Sequence, residues 1–127
     1  MKKLGISFEG GKTAYLPGET VRGRAEWFLD SAPDEVEVTL FWHTSGKGTE
    51  DVEVVDSVAH AHPSSQGEMS FSFQLPAEPY SFSGTLITLA WAIEILTHSP
   101  DESFSETITV SPKDREIVLR EVSSKLG

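Results

Sequence analysis

The sequence contains no cysteine. Disulfides, thiolate zinc sites and cysteine nucleophiles are therefore excluded, and the chain suits a reducing compartment. Asparagine is absent as well, which rules out N-linked glycosylation. Basic residues are scarce: ten Lys and Arg stand against twenty Asp and Glu, a net charge of −10. Binding to a nucleic-acid backbone or an anionic membrane needs clustered Lys and Arg, so neither is expected as a partner. The acidity is read as a solubilising surface in preference to a patch built for a basic partner. Long apolar runs are missing too. Thr88 and Glu94 interrupt the best of them, which falls short of the roughly eighteen residues of a membrane span. The opening MKKLGISFEGG has two lysines but no apolar core of signal-peptide length. A cytoplasmic location is the expectation.

What is present is alternation. The 127 residues suit one domain, long enough to bury roughly two-thirds of its unfolded surface without a disulfide or metal. From Thr85 to Ile95 the odd positions Ile87, Leu89, Trp91, Ile93 and Ile95 are large and apolar, and the even ones smaller or polar. That period predicts a strand with one buried face, placed at the centre of the fold. Val21, Ala25, Trp27 and Leu29 repeat the pattern, with Arg22, Arg24 and Glu26 facing away. Gly23 falls on the buried side, which marks a bulge or a close approach by another side chain. Val36, Val38, Leu40 and Trp42 form a third set, with Phe41 on the outer face. Met69, Phe71, Phe73 and Leu75 form the fourth.

Weaker signals fill the intervals. Leu4 to Phe8 reads as a short strand, and Pro17-Gly18 as the centre of a type II turn. Thr44 to Thr49 reads as a hairpin loop and His60 to Gly67 as a longer loop. Asp51 to Val58 is a strand whose valines at 52, 54 and 58 share a side that Asp56 interrupts. A further strand runs through Phe104, Ile108 and Val110. Asp114 to Gly127 fits either a last strand or a short amphipathic helix. Seven or eight short strands predict an all-β, immunoglobulin-like antiparallel β-sandwich. Residues 1–112 would form it, with 113–127 a closing strand or helix of the same domain.

Chemical motifs are thin. His60-x-His62, with His43 and His98 elsewhere, could offer imidazoles to an ion, but spacing fixes no third ligand. Glu50, Asp51 and Glu53, with Asp30, Asp34, Asp101 and Glu102, could form a calcium site at one end of the sandwich, though without EF-hand spacing. Exposed loops account for both sets. Ser81-Phe82-Ser83-Gly84 lacks the first glycine of a nucleophile elbow, and Gly10-Gly11-Lys12-Thr13 lacks the upstream glycine of a phosphate loop. No catalytic residue, metal or cofactor is expected. Phe41, Tyr80 and Phe82 are the aromatics left over from the core pattern, and exposed aromatics mark binding sites. The competing reading packs Tyr80 to Phe82 over the open end of the core.

Two stretches resemble a known family. Tyr15-Leu16-Pro17-Gly18-Glu19-Thr20-Val21-Arg22-Gly23 resembles the Y-x-P-G-E-x-V-x-G segment that opens arrestin N-terminal domains. Phe71-Ser72-Phe73-Gln74-Leu75-Pro76, then Pro79-Tyr80-Ser81-Phe82-Ser83-Gly84 and the Trp91 strand, resemble that family's F-x-F-x-L-P…P-S-F-x-G…I-x-W block. The match covers the chain to about Val110. The family includes the retromer subunit of this fold and bacterial sporulation-control proteins. The resemblance implies an arrestin-like sandwich that binds other proteins and is not an enzyme. Such proteins usually carry two sandwiches in tandem, and this sequence has room for one, which can pair with a second copy or with another protein. Nothing in the residues matches the phosphate-sensing lysines of visual arrestins. The expected function is a protein-binding adaptor or scaffold module, using a free sheet edge or a surface drawn from Arg22, Arg24, Phe41, Tyr80 and Phe82. The alternative is a carbohydrate- or small-ligand-binding sandwich that uses Tyr80, Phe82 and the His60–His62 loop.

Overall fold

The computed structural model describes residues 2–46, 50–84, 87–112 and, for the main chain alone, 117–118. Among these residues the strands are β1 (Lys3–Phe8), β2 (Ala14–Tyr15), β3 (Thr20–Phe28), β4 (Glu35–Gly46), β5 (Asp51–Ala61), β6 (Gln66–Gln74), β7 (Phe82–Ser83), β8 (Ile87–His98), β9 (Glu102–Val110) and β10 (Ile117–Val118). No α-helix occurs among them. Seven of the ten have six or more residues, and the other three are two-residue pairings. Residues 47–49 of the expected hairpin loop, 85–86 at the start of the central strand, and most of the ambiguous tail lie outside the described residues.

Two sheets result. The smaller has the order β1-β3-β6, antiparallel throughout. The larger is built around β8, which pairs with β4 along one edge and with β9 and β7 along the other. β4 in turn carries β5. The long strands pair antiparallel, as the sandwich expectation has it; only β2 with β9 and β10 with β7 pair in parallel among the described residues. Both exceptions are two-residue crossings at strand ends, where a connecting segment can run beside a strand without reversing.

The interior is the set of alternating residues. Val21, Ala25 and Trp27 of β3 and Phe71 and Phe73 of β6 face Val36, Val38, Leu40, Leu89, Trp91, Ile93 and Ile95 of the larger sheet, all buried. Trp91 is fully buried, lies opposite Trp42 and Ile108, and donates its Nε1–H to the Pro79 carbonyl at 3.0 Å. Trp27 likewise donates to the Ser64 carbonyl at 2.9 Å. A buried indole N–H without a partner is costly, so each of these rings needs its loop carbonyl.

Gly23 is a close approach and not a bulge. The β3–β6 register runs unbroken through Gly23↔Phe71, and a Cβ at Gly23 would meet the Phe71 ring at 2.7 Å and the Ser7 carbonyl at 2.3 Å. The turn before β3 takes the form its sequence dictates. Gly18 has φ +83°, and the Glu19 N–H donates to the Leu16 carbonyl at 3.1 Å, a type II turn.

β5 departs most from expectation. It continues through His60 to Ala61, so the connection to β6 is only residues 62–65. The sequence read as a loop because polar side chains hide a strand that main-chain pairing to β4 maintains. The register also slips between Leu40 and Phe41: Leu40 faces Asp56 but Phe41 faces Val54. Val55 is the extra residue, a β-bulge, and it moves the strand's pattern from one face to the other. Val58 and Asp56 therefore share the inward register of Val38 and Leu40, while Val54 and Val52 share the outward register of Phe41 and His43.

Candidate functional site

The five residues expected to form a binding surface lie in three places. Arg22 and Arg24 project from the outer face of the smaller sheet, opposite Ser72 and Ser70 across β6. With Ser7 they border a shallow concavity of about 500 Å³. Arg24 Nε lies 3.7 Å from Glu68 Oε2, both side chains half exposed, a pair of small energetic weight. Phe41 is on the outer face of the larger sheet, the other side of the molecule, so it cannot join the two arginines in one site. Tyr80 and Phe82 lie at the end of the larger sheet. Phe82 is half-buried against the core across from Leu89, and Tyr80 is 38% exposed.

The set proposed for a sugar or small ligand is also divided. Phe82 faces Leu89, which faces Thr44 of β4, whereas His60 faces Val36. The separation along β4 is about 27 Å at the usual strand rise. Ring packing claims His60 for Trp27, at a centroid distance of 6.5 Å.

The acids do not converge as a calcium site. Asp51 is held to the Thr44 end of β4 through a hydrogen bond to the threonine Oγ1, whereas the Asp34 N–H donates to the His98 carbonyl at the other end. Glu102 is engaged by Lys2 at 2.7 Å. Glu19 pairs with Lys12 and accepts from the Leu16 N–H, which holds its carboxyl below the usual range.

Nucleophile chemistry finds no footing at Ser81. Its side chain is buried, its Oγ accepts the Val110 N–H at 3.0 Å, and its own N–H donates to the Val110 carbonyl at 2.7 Å. Ser81 thus fastens the β6–β8 connection to β9. Thr97, also buried, performs the same kind of task in the β8–β9 turn, donating to the Pro100 carbonyl at 2.7 Å and accepting the Glu102 N–H at 3.1 Å.

What the structure does present is an edge. β5 is eleven residues long and, among the described residues, pairs only with β4. All of it is exposed except Val55. Val52 is 67% and Val54 58% exposed, beside Phe41, whose ring stacks on His43 at 5.9 Å. Outward-facing Ala92 and Thr39 continue this surface and are nearly covered by neighbouring side chains. Glu94, in register between Thr39 and Ser105, lies partly within it, and desolvation pushes its carboxyl up. Val52 and Val54 do not stand out as surface candidates in the sequence, because no local pattern marks the bulge that turns them outward. On the same face, Glu35, Glu37 and His98 gather at the far end, their ligating atoms within 4.8 Å of one another.

The fold and this edge define an all-β sandwich of arrestin-like type with exposed strand-pairing capacity. Comparison with solved structures agrees. The chain superposes on Spo0M, a sporulation control protein from Bacillus subtilis, with a TM-score of 0.61 and 20% identity, over 87% of this chain and 49% of that one. It therefore spans about half the length of Spo0M. A β-glucosidase from Listeria innocua aligns over 94% of this chain and 16% of its own, with a TM-score of 0.47 and 16% identity. The alkylpurine DNA glycosylase AlkC from Pseudomonas fluorescens aligns over 87% and 30%, with a TM-score of 0.43 and 10% identity. No protein-family model and no curated protein sequence matches the chain. No helix among the described residues is long and apolar enough to cross a membrane.

Proposed function

We propose that this domain is a non-enzymatic protein-binding module of the adaptor or scaffold kind, acting in the cytoplasm. Its partner adds a strand to β5. The observation that carries this reading is an eleven-residue edge strand with a hydrogen-bonded neighbour on one side only among the described residues. Strand addition draws its affinity from main-chain hydrogen bonds, and its specificity from side chains beside the new strand. Here those are Val52, Val54 and Phe41. Val52 and Val54 give the edge its apolar contact, while Asp51, Glu53, Asp56 and the bulge at Val55 limit indiscriminate pairing along it. The sporulation control protein that shares the fold is a regulator by its name, which is in keeping with a regulatory binding role. A second copy of this domain is one such partner, joined edge to edge.

The test is capture of partners from a native extract by the wild-type domain and by two double variants. Val52→Lys with Val54→Lys should lose the captured protein, while Arg22→Ala with Arg24→Ala should keep it. Retention by the valine variant would remove β5 as the binding element. Light scattering across a concentration series decides whether the partner is a second copy, which requires a dimer that the valine variant lacks.

A further inference from the structure

We propose that Glu35, Glu37 and His98 bind a divalent transition-metal ion of the zinc class on the outer face of the larger sheet. The residues come from two adjacent strands. Glu35 and Glu37 are two apart on β4 and share its outward face, and His98 lies directly across from Glu35 on β8. His98 Nε2 is 3.6 Å from Glu35 Oε1 and 3.7 Å from Glu37 Oε1. Those separations are too long for N–H···O hydrogen bonds, which run about 2.7–3.2 Å. They are close to the roughly 3.3–3.6 Å between neighbouring ligands of a tetrahedral ion with bonds of about 2.0–2.2 Å.

The second imidazole nitrogen adds a further feature. His98 Nδ1 points toward Asp101, 4.0 Å from its Oδ1, and that same oxygen accepts the Ser99 N–H at 3.1 Å. At 4.0 Å this is not a hydrogen bond, so Asp101 adds negative charge beside the imidazole and does not fix its orientation. Three carboxylates thus surround one imidazole, and His98 is the only basic group paired with Glu35 or Glu37 in the described ion pairs. A bound cation would neutralise that excess, and mixed nitrogen and oxygen donors favour zinc over calcium, which takes six to eight oxygens. Three protein ligands leave a position open to solvent. Beside it is a concavity of about 470 Å³ bordered by Leu96, Asp101 and Ser103. The ion's remaining position is therefore accessible to a carboxylate or imidazole from outside.

The experiment is calorimetric titration of the chelator-treated full chain with Zn²⁺ and, separately, Ca²⁺. The wild type should take up one Zn²⁺ and no Ca²⁺. His98→Ala and Glu37→Gln should each weaken zinc at least about tenfold. His60→Ala with His62→Ala should leave it unchanged. Near-UV circular dichroism of the buried tryptophans reports that each variant is folded, and His98→Gln replaces His98→Ala if the latter is not. Absence of saturable zinc uptake, uptake that survives loss of His98 or follows His60 and His62, or tighter binding of calcium would each overturn the assignment. The first of these outcomes would leave His98 as a plain ion-pairing residue. None of them bears on strand addition at β5.

Discussion

The smaller sheet turns Arg22, Arg24, Glu26 and Glu68 to solvent, with serines between them and one exposed aromatic, Phe28. Its outer surface is that of an ordinary soluble protein. The larger sheet turns Phe41, Ala92, Val52 and Val54 outward and ends in a long, solvent-exposed edge strand. Both sheets bury the same kind of alternating residue on their inner faces, so the interior alone would not tell them apart. The difference follows from coverage. Three strands cannot roof the whole of a wider sheet, and β5 lies outside the roof. Residues there obey no burial pattern.

Four variants sharpen this contrast, taken from the largest effect to the smallest. Trp91→Ala removes the fully buried ring shared by both sheets and should cost about 3–5 kcal/mol, read as a fall in the urea midpoint. Gly23→Val forces a side chain into the Phe71 ring and the Ser7 carbonyl and should cost about 1–3 kcal/mol or more by the same measurement. A loss much below that range would mean the smaller sheet is not packed as described. Val52→Lys with Val54→Lys should change stability by no more than about 0.5 kcal/mol, because both side chains are already in solvent. Its effect belongs to binding.

The smallest effect concerns Glu94, whose carboxyl is raised by desolvation. A raised carboxyl favours the protonated form in the folded state. Its contribution to stability is therefore complete below the unfolded value of 4.5 and is lost as pH rises through the folded value. Glu94→Gln should accordingly raise the melting temperature slightly at pH 7 and leave it unchanged near pH 4. Equal effects at both pH values would contradict the partly desolvated setting on the larger sheet's outer face.

The sandwich was legible where one sheet covers another. Val21, Ala25 and Trp27, and Leu89 through Ile95, announce their burial because every second residue had to be apolar. Gly23 and the Pro17-Gly18 turn were legible because steric limits leave few other residues there. The edge was not. His60 and Ala61 belong to a strand held by main-chain bonds, and exposed side chains carry no imprint of such bonds. The bulge at Val55 converted an apparent interruption at Asp56 into a change of face. Arg22 and Phe41 both read as outward-facing in the sequence, and only strand order reveals that they face away from each other. The grouping of Glu35, Glu37 and His98 depends on cross-strand register, which no local spacing encodes.

Amide hydrogen exchange on the free domain and on its complex with a captured partner addresses the β5 assignment most directly. Amides of residues 51–61 should slow on binding, with those of β1 and β3 unchanged. Slowing confined to β1, β3 or the Arg22–Arg24 face, with β5 exchanging as fast as before, would place recognition on the wrong sheet for this account.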